Sequence, residues 1–275
     1  MYRKQIWPCT LFLTLVVGFI SSQSGCVAGN RVNNFDLSKL NPKANAKANA
    51  KAINVGGHNP ALMKPELATA KAPATFDAKF ETTKGDFTIT VHRDWAPHAA
   101  DRFYNMVEVG YFDSDIAIFR AIDGFMFQFG IHGDPEVNAA WRNSTIPDDP
   151  STGKKNAPGT LSFAQTGNPN SRSVQMFCNL GLNTMLDSEQ PGGGSPFVPF
   201  AQIKTGASVL KKINTEYGEN PKNENVQKQF KKQGNEYILD RFKNIDLIKS
   251  VTIFEPPRVN AIGNDEMDPN RPEIH

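Results

Sequence analysis

One segment of the sequence combines a charged hydrogen-bond donor with an amide and several apolar side chains. It spans residues 119–130 and has the sequence FRAIDGFMFQFG. Because side chains alternate between the two faces of a strand, Arg120 lies on one face before the central turn, and Met126 and Gln128 share a face after it. If these faces adjoin, a guanidinium, an amide and apolar groups line one surface. Such a surface combines hydrogen-bond donors with apolar groups, which is an unusual mixture for a strand.

A second segment, residues 161–177, adds to the same pattern. Its sequence is LSFAQTGNPNSRSVQMF, and Gln175 and Phe177 fall on one strand face. Cys178 follows in an apolar run without the His and acidic partners of a nucleophile, so we interpret it as a small buried hydrophobe. The five histidines are scattered and lack metal-ligand spacing, so we expect neither a metal nor a cofactor.

These two segments resemble the cyclophilin family of peptidyl-prolyl cis/trans isomerases. The first is similar to the family pattern F-H-R-x-I-P-G-F-M-x-Q-G-G, and the second to L-S-M-A-N-x-G-P-N-T-N-x-S-Q-F-F-I. Residues 179–187 and 197–203 continue the family's order, so the resemblance covers about residues 76–254. It implies Arg120, Gln128 and Phe125 as the catalytic residues. It implies, as residues that bind the substrate peptide, Met126, Ala164, Gln165, Gln175, Phe177, Met185, Leu186 and Phe197.

Several positions depart from the family pattern. The substituted residues are Phe119, Asp123, Gln165, Met185 and Phe197. Residues 190–196, which include three consecutive glycines, form an insertion in the loop beside the site. None of these differences removes the arginine or the proline pocket. They bear on peptide preference and leave the implied reaction class in place.

The implied reaction needs no nucleophile, metal or proton transfer. Rotation about a peptide bond meets a barrier of ~18–20 kcal/mol because resonance must be broken. A guanidinium directed at the twisted amide binds it more tightly than either planar form, which accelerates rotation. We expect Arg120 in that role, Gln128 orienting it, and the main chain of Gln165 holding the peptide as an added strand.

Two other functions stay open at this stage. A cyclophilin-like module could bind proline peptides, or act as a chaperone, with little turnover. A β-barrel could instead carry a small apolar ligand, although an arginine on the pocket face argues against this. The net charge of +2 gives no field that would recruit nucleic acid, and we expect a monomer whose partners are proline-containing segments of other proteins.

The alternation of apolar and polar residues predicts a mainly β fold. We expect a closed antiparallel eight-stranded cyclophilin-like β-barrel capped by two or three α-helices. The first helix begins at Pro97 and ends at Gly110, a short one covers residues 207–213, and an apolar stripe runs from Ile238 to Ile245. The predicted strands are residues 76–82, 87–91, 116–122, 125–130, 160–164, 175–179, 199–203 and 251–254.

The predicted domain organisation has four parts. Residues 1–25 form a signal peptide, because their apolar run is shorter than the roughly 20 residues that cross a bilayer. Residues 26–74 form a flexible tether rich in Ala, Asn and Lys, residues 75–255 form the isomerase domain, and residues 256–275 form a disordered tail. The protein would therefore be exported to the periplasm of a bacterium.

Two processing sites remain possible within the N-terminal segment. Ser24-Gly25-Cys26 resembles a lipoprotein site, whereas Cys26-Val27-Ala28 resembles a site for ordinary signal peptidase. Cys26 would lack a disulfide partner in the mature protein, because the other two cysteines lie in the signal and in an apolar strand. Lipid on Cys26 accounts for this residue, so we favour attachment to the membrane through a lipid anchor over free secretion.

Overall fold

The computed structural model describes residues 59–191 and 193–254, which contain one nine-stranded antiparallel sheet. The strand order is β3-β9-β1-β2-β8-β6-β7-β5-β4. The strands are β1 (Thr75–Thr82), β2 (Gly85–His92), β3 (Ile116–Ala117), β4 (Arg120–Ile122), β5 (Met126–Phe129), β6 (Thr160–Phe163), β7 (Met176–Asn179), β8 (Pro199–Thr205) and β9 (Leu247–Phe254). The predicted mainly β fold of antiparallel strands is confirmed.

The two ends of the sheet are neighbours in the chain. β3 pairs with β9 and β4 pairs with β5, yet only Ile118 and Phe119 separate β3 from β4. The Ile118 amide still donates to the Asp246 carbonyl, just before β9, at 2.8 Å. The chain therefore leaves β9 and begins to pair with β5 between Ile118 and Arg120. The predicted strand 116–122 is therefore two strands. No ladder joins β3 to β4 in the part of the chain described, so the described strands form a curled half-barrel, and its closure into an eight-stranded barrel stays a prediction.

More helices occur than the predicted two or three. The α-helices of the described residues are α1 (Pro60–Met63), α2 (Pro97–Glu108), α3 (Pro135–Trp141), α4 (Ala207–Leu210), α5 (Glu224–Gln233) and α6 (Asn235–Arg241). α3 begins at a proline behind Asp134, whose carboxylate accepts from the Glu136 amide at 2.7 Å. None of these helices has the length and apolarity needed to span a bilayer.

The main core lies between the sheet and α2. Alternation in β1 buries Phe76 and Phe80, and the Phe80 ring stacks on Phe87 of β2 with centroids 4.7 Å apart. Phe103 of α2 lies 6.0 Å from the Phe80 ring. Large aromatic side chains dominate this core, and their burial stabilises the sheet that carries the site.

A second apolar cluster joins α5 and α6 to the outside of the β3–β4 corner. Gly234 separates the two helices with φ +65°, and a Cβ there would lie 1.9 Å from the Gly133 carbonyl oxygen, so glycine is required. The predicted stripe contributes Ile238, Phe242 and Ile245 to this cluster, although α6 ends at Arg241. The members of the cluster are Ala117, Phe119, Ile131, Val226, Phe230, Ile238, Phe242, Ile245 and Leu247.

Residues 59–74 also pack against the domain, although the sequence analysis assigns them to the tether. The Trp141 indole donates to the Leu62 carbonyl at 2.7 Å. The Asn105 amide exchanges hydrogen bonds with the main chain of Ala70 at 2.8 and 2.6 Å. This packing extends the domain beyond the predicted boundary at residue 75. The predicted signal peptide, Cys26, most of the tether and the C-terminal tail lie outside the described residues.

Candidate active site

The strand register brings the predicted polar residues together. Arg120 in β4 is opposite Gln128 in β5, and Gln128 is opposite Phe177 in β7. Arg120 Nη1 donates to Gln128 Oε1 at 3.3 Å, and Gln128 Nε2 donates to Gln175 Oε1 at 2.9 Å. The two strand faces do adjoin. The side-chain amides of Gln128 and Gln175 form a hydrogen-bonded chain that begins at the Arg120 guanidinium.

A cavity of about 210 Å³ opens beside this chain. Nine of the eleven predicted site residues line it, together with Lys222. The nine are Arg120, Phe125, Met126, Gln128, Ala164, Gln165, Phe177, Leu186 and Phe197. Gln175 contacts Gln128 from a neighbouring cavity. Met185 does not line the cavity, because it lies on a 3₁₀ turn with 63% of its surface exposed.

Aromatic rings form the apolar part of the cavity. Phe177 meets Phe197 edge to face with ring centroids 5.4 Å apart, and Met126 is buried beside them. The Arg120 guanidinium carbon lies 5.6 Å from the centroid of the Phe125 ring, within the range of a cation–π contact. The cavity thus offers an apolar pocket of limited size with a cation at its edge.

Polar contacts hold the segment that carries Phe197. Arg172 pairs with Asp148, donates to the Pro196 carbonyl at 2.7 Å, and lies 5.9 Å from the Phe197 ring centroid. Ser195 Oγ donates to the Asp148 carboxylate at 2.6 Å. Partial burial alone would raise the pKa of Asp148, but hydrogen bonds and the charge of Arg172 hold it below its ordinary value. The ionised carboxylate therefore fixes one wall of the cavity.

Glu219 is a site residue that the sequence analysis missed. Arg120 donates to its carboxylate from Nε at 3.0 Å and from Nη2 at 2.5 Å. Gly218 forms an isolated antiparallel bridge with Ala121 of β4, which brings the segment to the edge of the sheet. The two paired residues are 99 positions apart, and Glu219 belongs to a polar loop without periodicity, so no sequence pattern marks it.

The ion pair leaves Arg120 with donors to spare. A guanidinium has five N–H groups, of which Glu219 takes two and Gln128 takes one. Partial burial alone would raise the pKa of Glu219, but hydrogen bonds from Arg120 and the charges of Arg120 and Lys222 hold it below its ordinary value. Glu219 is therefore ionised at neutral pH, and two N–H groups of Arg120 remain for another acceptor.

The described residues contain no group of three or more His, Cys, Asp and Glu side chains that could hold a metal ion. Cys178 is fully buried, which raises the pKa of its thiol well above the ordinary value. A thiol in that state is a poor nucleophile. The reactive groups at the cavity are therefore hydrogen-bond donors and acceptors.

Comparisons with known proteins point to one family. The family model described as cyclophilin type peptidyl-prolyl cis-trans isomerase matches residues 77–233. Peptidyl-prolyl cis-trans isomerase B of Escherichia coli is 32% identical over 49% of this chain and 81% of its own length. A peptidyl-prolyl cis-trans isomerase of Acinetobacter baylyi is 30% identical over 54% of this chain and 76% of its own length.

A solved structure is also similar. That structure is a cyclophilin type peptidyl-prolyl cis-trans isomerase from Cryptosporidium parvum, with a TM-score of 0.48, 18% identity, and coverage of 66% of this chain and 99% of that one. The assignment rests on the family model, whose matched range includes the residues that line the cavity, and on the sequence relatives. The chain belongs to the cyclophilin-type peptidyl-prolyl cis-trans isomerase family.

Proposed function

We propose that this protein accelerates cis/trans isomerisation of X-Pro bonds in exported proteins and that Arg120 stabilises the twisted amide. The observation that carries the proposal is an arginine with two uncommitted N–H groups at the edge of a small aromatic cavity. The cavity holds the pyrrolidine ring while the rest of the peptide rotates. Relatives in the family are named for this activity.

The chemistry follows from the charge distribution of the twisted bond. When the amide loses resonance, the prolyl nitrogen regains a lone pair and becomes a hydrogen-bond acceptor. A donor placed there, or at the rotating carbonyl, binds the twisted state more tightly than the planar ones. About 1.4 kcal/mol of such differential binding is worth tenfold in rate, so a single well-placed guanidinium contributes substantially.

The remaining site residues divide into two tasks. Gln128 and Glu219 orient the guanidinium through the hydrogen bonds described above. Phe125, Met126, Phe177, Leu186 and Phe197 surround the ring of the bound proline. Gln165 lines the cavity, and its main chain is proposed to pair with the peptide as an added strand.

Substitution of Arg120 tests the mechanism. We expect Arg120→Ala to lower the rate constant for bound peptide by about ten- to a thousand-fold, while peptide affinity changes far less, because the apolar cavity stays in place. Arg120→Lys should recover little, because an ammonium lacks the planar fork that reaches Gln128 and the substrate together. NMR exchange spectroscopy on an Ala-Pro peptide gives both quantities.

Arg241→Ala is the matched control, since this arginine is exposed on α6 and does not line the cavity. If Arg120→Ala weakens binding but keeps its turnover, the arginine only anchors substrate and the mechanism is wrong. If wild-type protein binds proline peptides without accelerating their isomerisation, the chain is a binding module or chaperone. The Glu219 carboxylate that already binds Arg120 favours the binding-module alternative.

A further inference from the structure

A second cavity of about 470 Å³ adjoins the proline cavity. The two share Gln128, Ala164, Gln165 and Lys222, so they are consecutive compartments of one groove. The second cavity is otherwise polar. Its remaining lining residues are Asn138, Arg142, Asn143, Thr166, Ser171, Ser173, Val174, Gln175, Gln227 and Lys231.

The charged residues that line this cavity all have one sign. Arg142, Lys222 and Lys231 line it, and its lining contains no Asp or Glu. Lys222 lies 3.6 Å from Glu219, which is itself bound to Arg120. Within residues 59–191 and 193–254, neither Arg142 nor Lys231 forms an ion pair. Two cations therefore face a polar compartment without a counter-ion.

Lys231 is half-buried in this compartment, and Arg142, which also lines it, is exposed. Burial first, and then the positive charge of Arg142, lower the pKa of Lys231, so the two cations repel one another. An anion placed between them would relieve the repulsion and gain charge-assisted hydrogen bonds. Neutral donors such as Asn143 and Ser173 are available for its other lone pairs.

We propose that this compartment binds the carboxylate of an Asp or Glu residue near the proline of the substrate. The inference rests on the proposed function and names its preferred substrates. In an extended peptide, residues advance by about 3.3 Å each, so a side chain within two positions of the proline reaches the neighbouring compartment. An acidic residue at that distance would enter it while the proline occupies the apolar cavity.

A set of matched peptides tests the preference. Each peptide contains one Ala-Pro bond and carries Glu, Gln or Lys at the second residue before or after the proline. We expect kcat/KM for the best-placed Glu to exceed that for Gln by about three- to tenfold, and Lys to be slower than Gln. The advantage of Glu should shrink in high salt, because screening weakens partly exposed charge pairs.

Variants connect the preference to the cavity. Arg142→Gln and the double variant Arg142→Gln/Lys231→Met should reduce the Glu-to-Gln ratio, and the double variant should bring it close to one. Lys228→Met is the matched control, because Lys228 lies on the same helix as Lys231, is exposed and does not line the cavity. Its ratio should equal that of the wild type. Circular dichroism checks that each variant folds.

Equal rates for Glu and Gln peptides in the wild type would overturn the inference and leave the isomerase assignment intact. A Glu preference that survives the double variant would also overturn it. If no peptide is isomerised, the proposed function fails. Calorimetric affinities for the Glu and Gln peptides then test whether the compartment binds a carboxylate. Tighter binding of the Glu peptide, lost in the double variant, would support the compartment on its own.

Discussion

Arg120 owes its orientation to polar partners on two sides. Gln128 contacts one side of the guanidinium and Glu219 the other, and only 13% of the arginine side chain is exposed. Glu219 is 54% exposed, so the pair is solvated at its acidic end. A pair of that kind contributes little to stability, since exposed ion pairs give about 0–1 kcal/mol. Its main effect is to restrict the arginine.

We expect Glu219→Gln to lower kcat/KM by about three- to tenfold. The neutral amide keeps one acceptor but releases the bidentate grip, so Arg120 samples orientations that miss the twisted amide. The loss should lie in kcat and not in KM, and Glu219→Asp should fall between the two. Glu216→Gln, which alters an exposed carboxylate in the same segment, serves as the control. A faster Glu219→Gln enzyme would show that the carboxylate competes with substrate.

The Asp148–Arg172 pair should make stability depend on acid. Because the pKa of folded Asp148 lies below its ordinary value, its contribution is complete above the unfolded pKa of about 3.9 and is lost as pH falls through the folded value. Asp148→Asn should therefore lower the free energy of unfolding by about 2–4 kcal/mol at pH 7. Urea unfolding at several pH values should show the two proteins converging below pH ~4. A difference that is constant with pH would contradict this assignment.

At the scale of elements, alternation predicts the strands well and the helices poorly. Phe76 and Phe80 indicate β1, because a strand with one face in the core and the other in solvent alternates apolar and polar residues. The break at Ile118 is invisible in the sequence, because both halves of the segment are apolar and only the change of partner separates them. Asp134-Pro135, a cap followed by a proline, is a sequence signal for α3, which is not among the predicted helices.

The candidate site shows the same division. The residues on β4, β5 and β7 follow from strand period and from the family pattern. Glu219 and Lys222 do not, because a loop distant in sequence delivers them and their position depends on the packing of α5 and α6. The family pattern implies that Met185 contacts the substrate. In the structure, Met185 lies on an exposed 3₁₀ turn outside the cavity.

Phe230 tests whether α5 and α6 unfold with the sheet. Its ring is fully buried and lies 6.4 Å from Phe119 at the β3–β4 corner. Phe230→Ala should lower the free energy of unfolding by about 3–5 kcal/mol, in a single transition seen by both fluorescence and circular dichroism. Phe254→Ala, at a ring that is 47% exposed, should change it much less. Separate melting of the helical signal, with the sheet unaffected, would contradict this.

Residues 59–72 should stabilise the domain. A chain that begins at residue 73 loses Leu62 as the acceptor for the buried Trp141 indole, and it loses the partner of Asn105. Buried polar groups left without partners cost about 1–3 kcal/mol each, so the midpoint of thermal unfolding should fall by several degrees. A chain that begins at residue 59 is the control. Equal midpoints for the two would show that this segment merely rests on the surface.

At the scale of the whole molecule, we propose a catalytic domain held near a membrane by its N-terminal segment. An anchor there would keep the groove close to chains that emerge from the membrane. Anchoring would raise the local concentration of substrate without any change in the site.

Intact mass spectrometry of the mature protein tests the anchor. We expect a chain that begins at Cys26 and carries added lipid, with Cys26→Ala giving a protein that is released from membranes. A mass that matches an unmodified chain beginning at Gly29 would favour the ordinary signal-peptidase site and free secretion. Full-length mass, including residues 1–25, would exclude both processing sites.

The position of β9 has a consequence for how the chain reaches its folded state. β9 lies between β3 and β1, and Ser250 bonds to Glu81 across 169 positions of sequence. Until residue 254 has left the ribosome, β1 lacks a neighbour on that side and β3 has no strand to pair with. Pairings so distant in sequence slow folding to about milliseconds or seconds. A chain that folds late stays unfolded for longer. If the protein is exported, a secretion channel that accepts only extended polypeptide would therefore translocate it before it folds.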